Sequence, residues 1–321
     1  MHLLILVETD RFVDKPQKDE YLGPMMSNFR KIIAKEFEER IIHESRDDAG
    51  SILVADGKDV RALYFDSHNK QSCMLKRYPN VLVLKYSQAM MLAQAFLPKL
   101  DRCLHLGLGG GSLVKFLRWH YPHLSQTVIE SRQQVIKLAH AYFGLPENDP
   151  HIKIIHGDAD LYVRKHKPGI HESYDLVLCD LFDENGPALP MTQAPFLSNL
   201  PKRVTDNGLV CLNLWSQCDR YPETIEQLSR AFDGQIATLR LGQGLKGKGK
   251  NLNVLAFCFN DPDILYNLRD FNGSAIQFSK QTGLRLDEFF EQLYYQNSPA
   301  TERLLNRIKR RNRPKKAGAL P

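Results

Sequence analysis

A glycine-rich turn between a predicted strand and a predicted helix constrains the fold of this chain more than any other segment. Residues 103–117 read CLHLGLGGGSLVKFL, with an apolar run at 104–106, a turn almost without side chains at 107–112, and apolar residues at helical spacing after it. Glycine permits the tight turn and lets a ligand lie against the backbone. A strand, a glycine turn and a helix are typical of nucleotide-binding α/β sheets. The segment therefore predicts a nucleoside site at this turn.

Acidic residues follow the next two predicted strands. A strand at 127–130 ends in Glu130, and a strand at 152–155 is followed by Asp158, with a helix predicted between them at 133–142. In open α/β sheets, ligands bind at the carboxyl ends of the strands, and an acid at the tip of the second strand holds the ribose hydroxyls. We therefore expect Glu130 and Asp158 to lie beside the glycine turn.

The chain alternates strands and helices from residue 101 until its last two strands, which follow one another directly. Only a glycine- and lysine-rich loop, 242–251, separates the predicted strands 235–241 and 252–259, and this implies an antiparallel pair. The remaining predicted elements are strands at 174–180 and 208–214 and helices at 192–200 and 223–232. The pattern predicts an α/β protein with a Rossmann-like, seven-stranded methyltransferase fold, in which a parallel sheet ends in an antiparallel hairpin.

The first 98 residues lack this alternation and predict a small antiparallel sheet. Asp56-Gly57 between two apolar runs is a strong hairpin signal. The predicted elements are strands at 38–44, 52–55, 60–65 and 81–84 and helices at 29–37 and 87–97. We divide the chain into a small β-rich domain at 1–98, a Rossmann-like nucleoside-binding catalytic domain at 99–262, and C-terminal helices with a basic tail at 263–321.

The composition predicts a cytoplasmic protein without a membrane span. The hydrophobic share of 43% and charged share of 25% are ordinary for a soluble globular protein. No stretch approaches the ~20 apolar residues that span a bilayer, and the apolar start lacks a cationic leader. The net charge of +6 is concentrated at 303–316, which carries eight Lys or Arg and no acid. Because no aromatic residues are interleaved there, we do not predict a nucleic-acid partner.

Neither the cysteines nor the histidines have the spacing of metal ligands, and we predict no metal site. Cysteine, histidine and tryptophan residues within or beside apolar runs are instead expected in the core or on a sheet face, with the histidine hydrogen-bonded. These residues are Cys103, Cys179, Cys211, Cys258, His105, Trp119 and Trp215.

Several motifs between residues 63 and 259 resemble those of the spermidine synthase family of polyamine aminopropyltransferases. The family's GGGDGG loop matches 107–112, its ribose-binding acid matches Glu130, and its Gly-Asp-Ala/Gly run matches 157–159. The most specific match is the catalytic run of two aspartates three apart, followed by Gly-Pro-Ala. Here it reads DLFD at 180–183 and GPA at 186–188.

This resemblance implies a transferase that moves an aminopropyl group from decarboxylated S-adenosylmethionine to an amine such as putrescine, releasing methylthioadenosine. Asp180 would accept the proton of the attacking amine, Asp183 would hold a cationic acceptor, and Tyr86 would hydrogen-bond the nucleophile. The donor-binding residues implied by the matches are Gln71, Gly107, Gly109, Gly110, Gly111, Glu130, Asp158 and Ala159. The resemblance also implies a homodimer.

The sequence also departs from the family pattern. The family acid that grips the donor's amino group is Gly110 here, the residues after Tyr86 are Ser87-Gln88 instead of His-Glu, and loop 242–251 replaces the family's Pro-Ser-Tyr-Pro-Ser-Gly-Trp stretch before the last strand. Two alternatives therefore stay open beside aminopropyl transfer. One is an S-adenosylmethionine-dependent methyltransferase, because the carboxylate of that donor would meet no acid at Gly110. The other is a non-catalytic nucleoside-binding protein.

Overall fold

Two large β-sheets, one small two-stranded sheet and the helices around them make up the part of the chain that the computed structural model describes, residues 39–65, 70–165, 173–183, 186–242 and 253–298. The predicted helix at 29–37, most of the glycine- and lysine-rich loop, and the basic tail lie outside these ranges. No helix within the described ranges combines the length and apolar character needed to cross a membrane.

The first sheet is antiparallel, with its strands in chain order. The predicted hairpin at Asp56-Gly57 is confirmed, with the Gly57 N–H donating to the Val60 carbonyl at 3.0 Å. The strand predicted at 81–84 is wrong, because Val81, Val83 and Leu84 pack against the last strand of the sheet instead of extending it, while Leu82 packs into the core of the second sheet. The strands are β1 Arg40–Asp47, β2 Gly50–Asp56, β3 Val60–Tyr64 and β4 Lys70–Leu75.

The second sheet has seven strands in the order β12-β13-β11-β8-β5-β6-β7. Strand β13 runs antiparallel to both of its neighbours, β11 and β12, whereas β11, β8, β5, β6 and β7 pair in parallel. The predicted methyltransferase-type fold is confirmed. The strands of this sheet are β5 Arg102–Leu106, β6 Ser125–Glu130, β7 Ile152–His156, β8 Tyr174–Cys179, β11 Val204–Trp215, β12 Ile236–Arg240 and β13 Asn253–Phe259; between β8 and β11 lie the short strands β9 Phe182–Asp183 and β10 Gly186–Pro187.

Helices cover both faces of this sheet. The helix predicted at 192–200 is broken into short turns, because prolines at 190, 195 and 201 remove backbone donors. The short helix 159–164 was not predicted, and the predicted helix 87–97 changes to 3₁₀ geometry at residue 91. The α-helices are α1 Lys85–Met90, α2 Ser112–His120, α3 Gln133–Phe143, α4 Ala159–Arg164, α5 Ala194–Leu197, α6 Tyr221–Ala231, α7 Asn272–Thr282 and α8 Leu286–Asn297.

The central strands are buried on both faces, as parallel strands between two helical layers must be. Along β8, Leu176 and Leu178 pack into the core on one face, while Val177 and Cys179 pack into the core on the other. The four cysteines expected in the core are buried, and His105 is buried with its Nε2 2.9 Å from the Gln126 Oε1. Trp119 is the exception, because it lies on the outer face of α2 and is 60% exposed.

The first sheet packs against α3, which positions it beside the carboxyl ends of the central strands. Ile52, Val54 and Leu63 form one apolar cluster with Val135 and Phe143 of that helix. Arg132, just before α3, donates two hydrogen bonds to the Asp47 carboxylate on β1 at 2.7 and 3.0 Å. Its guanidinium also lies 4.5 Å from the centroid of the Phe65 ring. The contact therefore joins the two sheets at the edge where a ligand is expected.

Candidate active site

A cavity of about 860 Å³ opens at the carboxyl ends of β5, β6, β7 and β8. From β5 the chain adds β6 and β7 on one side, and it then crosses back to place β8 on the other side of β5. Such a reversal of strand order is the switch point at which open α/β sheets bind ligands. Residues of the first sheet, including Gln71 and Ser72, form another part of the cavity wall. The predicted residues Gln71, Tyr86, Gly107, Gly109, Glu130, Asp158, Ala159, Asp180 and Asp183 all line this single cavity.

The glycine turn begins at Gly107, whose backbone has φ +95° and whose N–H donates to the Ile129 carbonyl at 2.9 Å. A Cβ atom at Gly107 would overlap the backbone carbonyl oxygen of Asp180. The turn ends at Gly111, with φ +68°, which is the N-cap of α2. The absence of side chains in this turn therefore lets the ends of β5 and β8 approach each other across the cavity floor.

Gly110 and Gly111 are buried and do not line the cavity. A Cβ atom at Gly110 would lie 2.7 Å from the Ser72 Oγ and 2.8 Å from the Phe143 ring. The Ser72 hydroxyl in turn lies 3.2 Å from that of Ser112 at the start of α2. Glycine at 110 is thus required where the first sheet, α2 and α3 meet, and an acidic side chain has no room there without displacing a neighbour.

Gly110→Ala is expected to lower the free energy of unfolding by about 1–3 kcal/mol, because the added methyl group overpacks this junction. Gly273→Ala in α7 is the control: an added Cβ there meets no heavy atom within 4 Å, and the change is expected to stabilise the protein by about 0.4–1 kcal/mol. Urea denaturation measures both values. Unchanged stability of the Gly110 variant would show that the junction adapts without cost.

Glu130 ends β6 and faces the cavity with both carboxylate oxygens held. Its Oε2 accepts the Leu108 N–H at 3.0 Å, and its Oε1 accepts the Arg132 N–H at 2.9 Å. Burial raises the pKa of Glu130, and these two N–H groups oppose that rise by stabilising the anion. The carboxylate therefore has a fixed orientation, with its remaining lone pairs available to a bound hydroxyl.

Asp158 and Ala159 lie where β7 passes into α4. The Asp158 Oδ1 accepts the Leu161 N–H at 2.8 Å and so caps the helix. Its neighbour His156 is directed elsewhere, with its Nε2 2.9 Å from the Ser131 carbonyl oxygen. The position of Asp158 thus has a structural explanation of its own, and its second carboxylate oxygen is the group available to a ligand.

Asp180 immediately follows β8 and is surrounded by hydrogen-bond donors. The Asn213 Nδ2 donates to the Asp180 Oδ1 at 2.9 Å, and the Tyr86 hydroxyl donates to the same carboxylate. Burial raises the pKa of Asp180, while the bonds from Asn213 and Tyr86 act against that rise. Burial, together with the nearby Asp180 charge, also holds the pKa of Tyr86 well above its usual value, so the phenol stays a donor.

Asp183 lies in a small hairpin in which β9 pairs antiparallel with β10. The Gln71 Nε2 on β4 reaches the Asp183 carbonyl oxygen at 3.5 Å. Behind the hairpin, the Phe182 and Trp215 rings lie 5.3 Å apart, and Gly186 packs directly on the Trp215 ring. The two aspartates of the DLFD run are therefore brought into the same cavity wall, and the Gly-Pro-Ala run forms the return strand that holds them there.

The sequence analysis missed two residues, Asn213 and Asn253, both of which line the cavity. Asn213 interrupts an otherwise apolar strand and is 1% exposed, which is the pattern of a buried polar group with a required partner. Its Oδ1 accepts the Asn253 Nδ2 at 2.8 Å. A polar residue within the fifth strand was a usable signal for Asn213, whereas Asn253 depends on how β13 joins the sheet.

Acidic side chains outnumber basic ones in the described part of the cavity wall. Of its basic groups, Lys70 pairs with Glu39 at 2.6 Å and Arg132 pairs with Asp47. The carboxylates are Glu130, Asp158, Asp160, Asp180 and Asp183. Such a wall favours a cationic ligand. Within the described ranges, no group of three or more His, Cys, Asp or Glu residues is arranged to hold a metal ion.

Comparison with known proteins identifies the family. The family model for the spermine/spermidine synthase domain matches residues 43–235, which include nearly all of the first sheet, five of the seven strands of the second and nearly all of the cavity wall. The chain belongs to the spermine/spermidine synthase family. The polyamine aminopropyltransferase of Chromobacterium violaceum is 28% identical over 254 residues, covering 79% of this chain and 93% of the relative. Putrescine N-methyltransferase 1 of Nicotiana tabacum is 25% identical over 148 residues, covering 44% and 38%.

A solved structure supports the fold assignment. The probable spermidine synthase of Corynebacterium glutamicum superposes with a TM-score of 0.61 at 17% sequence identity, covering 74% of this chain and 88% of that one. At this identity the likeness concerns the fold. It agrees with the strand order and the small preceding sheet described above.

Proposed function

We propose that this member of the spermine/spermidine synthase family transfers an aminopropyl group from decarboxylated S-adenosylmethionine to an amine such as putrescine, leaving methylthioadenosine. The observation that carries the proposal is the placement of Asp180. Its carboxylate, held by Tyr86 and Asn213, lines the same cavity as the glycine turn and Glu130. The proposed base and the proposed nucleoside site therefore share one cavity.

The nucleoside end of the cavity is formed by Glu130, Asp158 and the glycine turn. In the proposal, Glu130 accepts hydrogen bonds from the ribose hydroxyls, and Asp158 and Ala159 contact the adenine. Gly107 and Gly109 provide the side-chain-free surface beneath the ribose and sulfonium, and Gln71 covers the donor from the first sheet. Gly110 and Gly111 act indirectly, because they shape the turn from behind the wall.

The chemical step needs a deprotonated nitrogen more than it needs an acid. The amine lone pair attacks the carbon beside the sulfonium, the C–S bond breaks, and the electron pair leaves on a neutral thioether. The nitrogen must lose a proton, and Asp180 accepts it. The raised pKa of Asp180 makes it a better base than an exposed aspartate. Asp183 offsets the charge of a cationic acceptor, and Tyr86 orients the nucleophile together with Asp180.

Purified protein with decarboxylated S-adenosylmethionine and putrescine tests this proposal. Mass spectrometry is expected to show spermidine and methylthioadenosine in equal amounts. A panel of other amines identifies the acceptor if putrescine is a poor one. Absence of methylthioadenosine with every amine, from a protein that binds the donor, would reject aminopropyl transfer.

Methyl transfer is the second candidate, and a specific observation favours it. An acidic residue has no room at Gly110, so the carboxylate of intact S-adenosylmethionine meets no fixed acid at that point. A similar protein is named putrescine N-methyltransferase. The same assay with S-adenosylmethionine decides between them, because methyl transfer yields S-adenosylhomocysteine and N-methylputrescine rather than methylthioadenosine.

Glu130→Ala is expected to weaken nucleoside binding by about ten- to a hundredfold, because a charge-assisted hydrogen bond is worth roughly 1.5–3 kcal/mol. Asp160→Ala is the matched control. Asp160 lines the same cavity, but its carboxylate pairs with Arg164 at 2.6 Å, and its removal is expected to leave affinity within about twofold. Calorimetry with methylthioadenosine measures both. Equal affinities for the two folded variants would place the ribose elsewhere.

We also infer from the family relationship that the protein is a cytoplasmic homodimer with the three-domain division at 1–98, 99–262 and 263–321. Light scattering of the full chain checks the oligomeric state, with twice the chain mass as the expected result. A monomer at micromolar concentration would remove the dimer from the proposal.

A further inference from the structure

Two strands, β13 and β11, contribute a chain of side-chain hydrogen bonds that ends on Asp180, the residue after β8. Asn253, the first residue of β13, donates through its Nδ2 to the Asn213 Oδ1 at 2.8 Å. Asn213 on β11 then donates through its own Nδ2 to the Asp180 Oδ1 at 2.9 Å. The β11–β13 register pairs Trp215 with Asn253 and Asn213 with Leu255, which sets the two amides side by side.

The direction of these bonds is coupled to the charge on Asp180. An ionised carboxylate only accepts hydrogen bonds, so Asn213 must turn its NH₂ group toward Asp180 and its oxygen toward Asn253. Asn253 must then present its NH₂ group as well. If Asp180 is protonated, the opposite arrangement is also satisfied: Asp180 donates to the Asn213 oxygen, and the Asn213 NH₂ group donates to the Asn253 oxygen.

We propose that Asn253 is a positioning residue that keeps Asp180 ionised and ready to accept a proton, by fixing the orientation of the Asn213 amide. The inference rests on the proposed function, because it gives Asp180 the role of base. It concerns two residues with no counterpart among the matched motifs. Asn253 acts through Asn213 and need not touch the acceptor.

The other groups that face Asp180 have fixed roles, so the Asn253–Asn213–Asp180 chain of hydrogen bonds, here called the relay, is the contact that can change the protonation of Asp180. From α1, the Tyr86 hydroxyl donates to it; from β8 and β11, the Cys179 and Cys211 thiols lie nearby. Burial raises the pKa of both thiols well above the usual value, so they stay neutral. Asp183, on the same loop, is the other acid of this wall. With Tyr86 fixed as a donor, the orientation of Asn213 is the variable contact.

Asn253→Asp provides a nearly isosteric test, because a carboxylate at 253 accepts only and draws the Asn213 NH₂ group away from Asp180. The Asn213 oxygen then faces Asp180 and favours its protonated form. We expect the acid limb of the pH profile of kcat/KM for the amine to move up by about 1–2 pH units. Asn253→Leu removes the partner of the Asn213 amide without forcing that amide to turn, and it is expected to move the acid limb of the profile by less. Donor affinity should stay within about twofold in both.

A double variant separates the relay from simple charge repulsion. Asn213→Leu cuts the chain of bonds, so Asn253→Asp in that background acts on Asp180 only through space. We expect the added shift to fall to less than half of its value in the wild-type background. An equal shift in both backgrounds, or an unmoved limb in Asn253→Asp, would overturn the inference.

A readout independent of turnover keeps this test apart from that of the proposed function. The side-chain carboxyl carbon of ¹³C-labelled Asp180, assigned through its loss in Asp180→Asn, reports protonation by NMR in the unliganded protein. Its midpoint is expected to rise in Asn253→Asp whether or not the protein transfers an aminopropyl group. If the titration midpoint of Asp180 in Asn253→Asp equals that of the wild type, the relay is rejected. If the midpoint rises but the protein has no transferase activity, only the proposed function is rejected.

Discussion

Asp180→Asn is expected to lower turnover by about 10²–10⁴-fold, while donor affinity stays within about twofold. The substitution preserves the size and planarity of the side chain and removes the atom that accepts the proton. Because Asp180 lies at the end of β8 rather than among the nucleoside-facing residues, the nucleoside contacts should persist. Single-turnover measurement of methylthioadenosine release gives the rate of the chemical step, and calorimetry gives the donor affinity.

Asp183→Asn is the informative partner of that variant. Its side chain is assigned to the charge of the acceptor, so its loss should raise KM for the amine while changing turnover at saturation much less. The two variants therefore separate a base from a binding charge on one loop. If neither alters turnover on an amine that the wild type uses, the displacement mechanism assigned to this loop is wrong.

Local patterns were sufficient to predict most of the central sheet. The strand from Arg102 to Leu106 and the helix that begins at Ser112 follow directly from an apolar run, a glycine turn and helical spacing. The antiparallel edge followed from two strands joined without a helix. These elements are determined by residues close to one another in the sequence, and tertiary packing did not change them.

The errors arose where tertiary packing overrode local preference. Residues 81–84, VLVL, have strong strand propensity, yet Val81, Val83 and Leu84 pack against β4 and Leu82 packs into the core of the second sheet, whereas the more polar sequence KQSCML forms the strand. Trp119 sits on a helix whose inward positions are already occupied by Phe116 and Leu117, so it faces outward. In both cases the outcome depends on which apolar surface lies beside the segment in the folded protein, and the residues that form that surface are distant in the sequence.

The candidate site divides along the same line. Glu130, Asp158 and Asp180 were predictable because each follows a strand whose carboxyl end borders the switch point. Asn253 was not predictable, because its contact with Asn213 depends on the position of β13 between β12 and β11. A hairpin formed by the sixth and seventh strands is compatible with either strand next to β11, and the local pattern does not choose. The environment that sets the basicity of Asp180 is therefore a product of strand order.

Gly107→Ala is expected to have the largest effect on stability, a loss on the order of 2–5 kcal/mol. A left-handed backbone costs an alanine roughly 1–2 kcal/mol, and overpacking adds about 1–3 kcal/mol. Here the added methyl group would overlap the Asp180 carbonyl oxygen. This oxygen cannot move aside easily, because it belongs to the backbone at the end of β8. Folded domains have a total stability of about 5–15 kcal/mol, so at the lower end of that range this loss would bring the protein close to unfolding.

Gly144→Ala separates conformation from collision. Gly144 also has a positive φ, +67°, but an added Cβ would only reach ordinary contact with Pro79 at 3.8 Å. We expect this control to lose about 1–2 kcal/mol, so the difference between the two variants measures the overlap with Asp180. Because that overlap also displaces the base, the folded fraction of Gly107→Ala should turn over more slowly even at low temperature, whereas Gly144→Ala should not. Equal unfolding free energies for the two variants would mean that β5 and β8 can separate without cost, and that the glycine turn does not hold Asp180 in place.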